Sequence, residues 1–301
     1  MLFDCAIIGG GPAGLNAALV LGRARRKVVL FDNNKPRNAV THESHGFITR
    51  DGVNPKEFRA IAHSDISKYP SVQFMPTKVT DLVKEGESLF VAKTETGEIY
   101  EARTVILATG LSEKLPEVPH IAEYYGTSLF SCPYCDGWEM RDRPLAIITE
   151  TDHAFHMGMM VHNWSKDLIV CTNGAGGFDA EKKELVVSKG IAVYEQRIQA
   201  LNGDNGQLAS ILFEDGIEVR RAGGFVTPHW SQPVDFGEML GCALNEHGGI
   251  ASDDFGRTNV TGLYAAGDSS IIVPAQLIVA AAEGSRAAIG VNTELTHHEF
   301  E

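Results

Sequence analysis

Cys5-Ala6-Ile7-Ile8-Gly9-Gly10-Gly11-Pro12-Ala13-Gly14 opens this chain almost at once, and its reading decides the fold. Residues 5–9 are a short apolar run of the kind that forms a buried parallel strand, and residues 15–21 have helical character. Between them lies G-x-G-x-x-G. Gly9 permits the tight turn, Gly11 lets backbone approach a pyrophosphate, and Gly14 lets helix pack on strand, with the helix N-terminus facing the phosphates. Pro12 and Ala13 belong to the same cofactor-binding turn. Residues 27–31 read as the second strand. It ends at Asp32, about 20 residues on, where a carboxylate can accept a hydrogen bond from a ribose hydroxyl. Cys5 itself reads as a small buried hydrophobe.

Two later segments share this grammar. Residues 104–110 form a buried strand ending in Thr109-Gly110. Residues 259–268 form another ending in Gly267-Asp268, with a helix from about Ala275. Asp268 could equally cap that helix. A different chemistry is announced by Cys132-Pro133-Tyr134-Cys135-Asp136-Gly137. Two cysteines three positions apart can close and reopen a small disulfide, a redox device. They could also be half of a zinc site, but zinc needs about four ligands, and Cys5, Cys171 and Cys242 are single and far apart. No metal is expected. Asp136 reads as a proton-shuttling carboxyl or a helix cap, and Tyr134 as a substrate contact or a packing residue.

The bulk numbers narrow the field. The chain has 301 residues, 44% hydrophobic and 22% charged, with a formal net charge of −13. Two domains fit this length. The negative charge disfavours a nucleic-acid partner. No apolar stretch reaches the ~18 residues of a membrane span; the nearest, 271–282, holds Pro274 and Gln276 and stops at Glu283. Five cysteines without an even framework, and no secretory leader, point to a reducing cytoplasm. The His297-His298 pair is expected to fray.

With these four ordered motifs in place, the chain resembles the flavoprotein disulfide reductases, most closely the low-molecular-weight thioredoxin reductases, over nearly its whole length. The resemblance implies an α/β fold of two Rossmann-like, three-layer nucleotide-binding domains. The FAD domain would be discontinuous, at 1–115 and 241–301, and the smaller module at 116–240 would carry the cysteines. FAD would be held by the 9–14 turn, Asp32, Thr109-Gly110 and Gly267-Asp268, with Gln276 beside the isoalloxazine. His45-Gly46-Phe47-Ile48-Thr49-Arg50-Asp51-Gly52 is similar to the family's loop after the second strand. Cys135 would face the flavin, Cys132 would exchange with substrate, and Asp136 would move the proton. Thr227-Pro228-His229-Trp230 resembles the return crossing, with His229 near the dithiol or simply a hinge residue. A homodimer is also implied.

One expected feature departs from that family. After the apolar strand 143–149, an NADPH domain should show a second glycine-rich turn. The chain has Thr149-Glu150-Thr151-Asp152-His153-Ala154, with no glycine and two carboxylates where phosphates should rest. After strand 167–171 no arginine follows to hold a 2′-phosphate; the first base is Lys182. The glycines at 174, 176 and 177 read as a flexible connection. NADPH is therefore expected to be a poor donor, leaving ferredoxin, another flavoprotein or an unorthodox nicotinamide pose. The expected activity is FAD-dependent disulfide/dithiol oxidoreduction with a thioredoxin-like protein or small-molecule disulfide as partner. Two alternatives accompany it. One is an oxygen-dependent dithiol oxidase, like the thioredoxin-reductase-like oxidases of dithiolopyrrolone and epipolythiodioxopiperazine biosynthesis. The other is a non-turnover flavin redox sensor.

Overall fold

The structure is a computed structural model that describes residues 1–151, 153–176, 178–270 and 275–301. Asp152, Gly177 and the 271–274 start of the apolar stretch lie outside the described residues. In chain order the first elements are β1 (Leu2–Ile8), α1 (Pro12–Arg23), β2 (Val28–Phe31), α2 (Pro55–Ile66), β3 (Val72–Met75), β4 (Val79–Glu85), β5 (Leu89–Thr94) and β6 (Ile99–Leu107). There follow β7 (Ser112–Lys114), α3 (Ile121–Tyr124), β8 (Leu129–Phe130), α4 (Pro133–Asp136), β9 (Leu145–Ile148), α5 (Ala154–Val161), β10 (Leu168–Cys171), α6 (Ala180–Ser188) and β11 (Ala192–Tyr194). The chain closes with β12 (Ile198–Asp204), β13 (Gln207–Phe213), β14 (Glu218–Arg220), β15 (Gly224–Val226), β16 (His229–Ser231), α7 (Phe236–Met239), β17 (Leu263–Ala265) and α8 (Leu277–Phe300).

These elements divide into two units. One comprises Met1–Ala39, Gly46–Ser112 and Ser231–Glu301; the other comprises Val40–His45 and Glu113–Trp230. The boundaries differ from the 115/116 and 240/241 divisions read from sequence. Phe236, buried with Ile250 and Cys242 in the first unit's core, draws residues 231–240 to that side.

The first unit is a sheet ordered β3-β2-β1-β6-β5-β4, with β17 also on β6. β6 is long because it serves two pairings. Its first residues run antiparallel to β5, and Val105–Leu107 run parallel to Leu263–Ala265 of β17. Alternate residues of β1 supply both faces: Cys5 and Ile7 pack toward α1 and α8, while Ala6 and Ile8 pack on the opposite side. α1 and α8 meet through small residues, among them Ala13, Ala17, Ala280 and Ala287. A β-carbon on Gly284 would collide with the backbone of Ala13, so this glycine sets how closely the helices approach. α8 is helical through Phe300. Glu299 accepts hydrogen bonds from Arg26 and Arg103, both at 2.7 Å, which fixes the turn that holds His297 and His298.

The second unit has a parallel sheet ordered β11-β10-β9-β15-β8 and an antiparallel sheet β12-β13-β14. The Asp215-Gly216 pair lies in the turn between β13 and β14, with Ile217 N–H bonded to the Asp215 carboxylate at 3.1 Å. β9 and β10 are wholly buried, as fully covered parallel strands should be. β7 pairs with β16 as a two-stranded ribbon. His229, on that ribbon, is exposed. Among the described residues no helix is long and apolar enough to cross a membrane.

Candidate functional site

In the first unit, three strand ends converge because β1, β6 and β17 are neighbours. Gly9 adopts φ +115°, which excludes most side chains, and a β-carbon there would collide with the carbonyl of Ala108. Gly14 has no room for one either, since it would run into the Gly9 carbonyl. Gly9 thus sits against the strand end that leads to Thr109-Gly110, and Ala13 lies against Gly267. Pro12 starts α1 at the position where its missing N–H costs nothing, and no side chain caps that helix. Gln276 is the N-cap of α8, without a side-chain capping bond.

Two arginines that the sequence does not place in this site join its acids. Asp32, buried at the end of β2, accepts a hydrogen bond from Asn34 N–H at 3.0 Å and pairs with Arg59 of α2. The Arg59 Nε is buried without a partner. Asp268 does not cap α8; its carboxylate accepts a 2.8 Å hydrogen bond from the Arg37 guanidinium. Glu283 accepts from Gly267 N–H at 2.7 Å, and burial pushes its carboxyl above the usual range. Asp268 and Arg37 are 231 residues apart in sequence, so no local spacing could join them.

In the second unit, Cys132 and Cys135 are joined as a disulfide, with Cα atoms 5.3 Å apart. Cys132 is the N-cap of the single turn α4, and its carbonyl accepts from Cys135 and Asp136 N–H, both at 3.1 Å. The following Gly137 is required sterically: a β-carbon would lie 2.8 Å from the Trp164 ring. Trp164 in turn meets Tyr134 edge-on at 5.5 Å, while Tyr134 remains 61% exposed. The Asp136 carboxyl is pushed up to about 7. Burial is the main cause; the His45 charge opposes it and the Glu139 charge reinforces it. Cys5 and Cys171 are fully buried single thiols pushed up to about 12 by burial, which keeps them unreactive.

The turn after β9 is closed by its own side chains. Thr151 N–H donates to Thr149 Oγ1 at 3.2 Å, and His153 N–H donates to Thr151 Oγ1 at 3.3 Å. The Glu150 carboxylate accepts from Glu117 N–H at 3.2 Å and from the Asn173 amide at 2.6 Å. At the end of β10, Gly174 N–H donates to Glu195 O and Ala175 N–H to Thr172 O, both at 3.0 Å, so residues 173–175 form a bonded turn; Gly177, the last glycine of the run read as a flexible connection, lies outside the described residues. An arginine is also present. Arg197 arrives from the β11–β12 connection and lies along Gly174, where a β-carbon would be 3.0 Å from its Cγ. The distance along the chain hid it.

A family model described as pyridine nucleotide-disulphide oxidoreductase matches residues 3–284. The crystal structure of a putative thioredoxin reductase TrxB from Bacillus anthracis has a TM-score of 0.95 and 47% identity, covering 99% of each chain. Thioredoxin reductase aclD of Aspergillus oryzae is 32% identical over 310 residues, 99% of this chain and 98% of the relative. A probable thioredoxin reductase of Arthroderma benhamiae is 31% identical over 332 residues, 99% of this chain and 82% of the relative. The first unit fits the FAD of such proteins. Gly11 has an extended backbone (φ −76°, ψ −177°) that any residue adopts, and a β-carbon there would meet nothing within 4 Å. Neither conformation nor packing within the protein therefore requires glycine at 11, and the open turn leaves room for a pyrophosphate. The chain belongs to the pyridine nucleotide-disulphide oxidoreductase family and is a thioredoxin reductase-like FAD flavoenzyme.

Proposed function

We propose that this enzyme passes electron pairs between its FAD and the Cys132–Cys135 disulfide, and between that pair and an external disulfide or dithiol. The observation that carries the reading is the closed Cys132–Cys135 bond beside a carboxyl held near neutrality. The 9–14 turn, Asp32, Thr109, Gly110, Gly267, Asp268 and Gln276 would hold FAD, which when bound would supply a two-electron store. The protein's own steps follow thiol–disulfide chemistry. In the reducing direction the Cys132 thiolate attacks one sulfur of the substrate disulfide and forms a mixed disulfide. The departing substrate thiolate takes the Asp136 proton. Cys135 thiolate then attacks Cys132 Sγ, restores the intramolecular bond and releases the second substrate thiol. The substrate gains two electrons and the cysteine pair loses two. The substrate class is a thioredoxin-like protein disulfide, which the names of the relatives support, in a homodimeric enzyme of the reducing cytoplasm.

A second reading reverses the flow: a small dithiol reduces Cys132–Cys135 and oxygen finally accepts the electrons. The turn after β9, filled by Glu150, favours it because such an oxidase needs no NADPH. With NADPH disfavoured, the reductase reading takes its electrons from ferredoxin or another flavoprotein. Anaerobic titration with dithiothreitol, NADPH and NADH tests the proposal. Dithiothreitol should bleach the flavin of the wild type, and Cys132→Ser or Cys135→Ser should stop it. Equal bleaching in both variants would refute the cysteine relay. Oxygen uptake with dithiol alone selects the oxidase; reduction of thioredoxin by photochemically reduced enzyme selects the reductase. Exchange without either turnover leaves the sensor.

A further inference from the structure

We propose that Arg59 is a positioning residue for the cofactor: its guanidinium holds the Asp32 carboxylate where the adenosine ribose of FAD can donate to it. The inference rests on the cofactor-binding role proposed above for Asp32. Asp32 ends β2 and is 8% exposed. Its carboxylate lies against the glycine turn, so closely that a β-carbon on Gly10 would collide with it. Arg59 reaches that carboxylate from α2, 27 residues further along the chain, and uses two different nitrogens. Nη2 pairs with Asp32 Oδ2, and Nη1 donates to Asn34 Oδ1 at 2.7 Å. Asp32 Oδ1 accepts from Asn34 N–H at 3.0 Å. Asn34 takes a left-handed backbone at φ +59°, which an asparagine tolerates. The three side chains thus lock the turn after β2 with both carboxylate oxygens fixed.

A carboxylate this buried is costly unless it is paired. Unpaired, it would turn toward water or take up a proton, and it would repel the anionic pyrophosphate that the adjacent turn receives. A guanidinium removes both costs because it stays charged at any working pH. Each oxygen of Asp32 still has a lone pair to spare, so the pairing leaves room for ribose hydroxyls. A guanidinium that served packing alone would spend its buried donors on protein acceptors. The Arg59 Nε–H is buried and meets none among the described residues. One donor beside Asp32 is therefore left for oxygens that a nucleoside would bring.

The test compares two flavins that share the isoalloxazine but differ in the adenosine. Apoprotein is titrated with FAD and with FMN, followed by flavin fluorescence. Arg59→Gln should weaken FAD binding roughly 10- to 100-fold, about the value of one charge-assisted hydrogen bond, and leave FMN binding unchanged. Arg59→Lys keeps the charge but cannot bridge Asp32 and Asn34, and should fall between Arg59→Gln and the wild type. In an Asp32→Asn background, Arg59→Gln should cost FAD little more, because it acts through that carboxylate. If Arg59→Gln lowers FAD affinity, FMN affinity and the melting temperature of the apoprotein together, the residue is merely structural and the proposal is overturned. An undiminished loss on top of Asp32→Asn overturns it too. Wild-type FAD affinity in Arg59→Gln, with a weakened Asp32→Asn, refutes Arg59 alone. Wild-type FAD affinity in Asp32→Asn removes the ribose role of Asp32, and the Arg59 inference with it.

Discussion

Two turns hold equivalent places in the two units, each following a parallel strand with a buried end and preceding a helix: residues 9–14 after β1 and the turn from Thr149 after β9. Such a turn exposes helix N–H groups that need acceptors. The first turn offers none of its own. It is glycine-lined, α1 has no side-chain cap, and the space over Gly11 is clear of protein atoms. The second turn bonds its own Thr151 and His153 N–H groups to the Thr149 and Thr151 hydroxyls ahead of α5, which likewise has no side-chain cap, and sets the Glu150 carboxylate between Glu117 and Asn173. One scaffold thus presents an open glycine-lined turn in one unit and a turn occupied by its own side chains in the other. Strand order and burial carry the fold, and a few side chains at the strand ends decide whether the turn takes a dinucleotide.

The largest expected effect separates ligand binding from folding within the first turn. Gly11→Val places a side chain only where a pyrophosphate would lie. The apoprotein should keep its melting temperature, while FAD affinity falls on the order of 100- to 10,000-fold, as for two lost charge-assisted hydrogen bonds. Gly14→Ala should do the reverse to the apoprotein and destabilise it by about 1–3 kcal/mol, because its β-carbon meets the Gly9 carbonyl. Flavin fluorescence titration and thermal melts of apoprotein check both. Wild-type FAD affinity in Gly11→Val would break the comparison at its root.

A smaller effect sharpens the other half. NADPH should reduce the wild-type flavin far more slowly than a dithiol does. Glu150→Gly should tighten NADPH binding about tenfold by removing one carboxylate from the turn and freeing the Asn173 amide. Anaerobic stopped-flow mixing decides it. Complete reduction of the wild type within about a second at sub-millimolar NADPH, a rate within the ordinary range of enzyme turnover, would show that Glu150 is no obstacle. Arg197 makes this experiment informative: it brings a guanidinium to the end of β10 that could hold a nucleotide phosphate once Glu150 is gone.

The glycine turn, the strands behind it and the Cys-x-x-Cys pair were legible because their signals are local. A motif of six residues fixes its own geometry, and apolar runs announce buried strands. Asp32 and Asp268 were legible as acids at strand ends, but their partners Arg59 and Arg37 were not. Those pairs form only after β2, α2 and β17 have been assembled. The same reason hid Arg197 beside Gly174 and His45 beside Glu139. The absence of glycine at 149–154 was visible in sequence; that Glu150 is bonded into the turn by an asparagine from the next strand's end was not. Likewise, the end of α8 is held by Arg26 and Arg103, from distant parts of the first unit.

The smallest effect compares the two acids of the second unit. Glu150 is met by amide donors, whereas Asp136 is buried near Glu139 and its carboxyl is raised to about 7. A carboxyl raised in the folded state binds its proton more tightly there than in the unfolded chain. Its contribution to stability is therefore greatest in acid, falls as pH rises from about 4 to about 7, and is constant above. Asp136→Asn should remove that fall. Between pH 5 and pH 8 the variant should gain about 1–2 kcal/mol relative to the wild type, roughly half the full linkage because water reaches a carboxyl that is only partly covered. The sign for catalysis is opposite: the variant cannot supply a proton and should slow exchange most below pH 7, where the wild-type acid is neutral. Urea unfolding of the oxidised apoprotein at both pH values measures the first effect. Parallel stability curves for variant and wild type across that range would mean that Asp136 is as easily ionised in the fold as in water, and would remove the reason for giving it the proton.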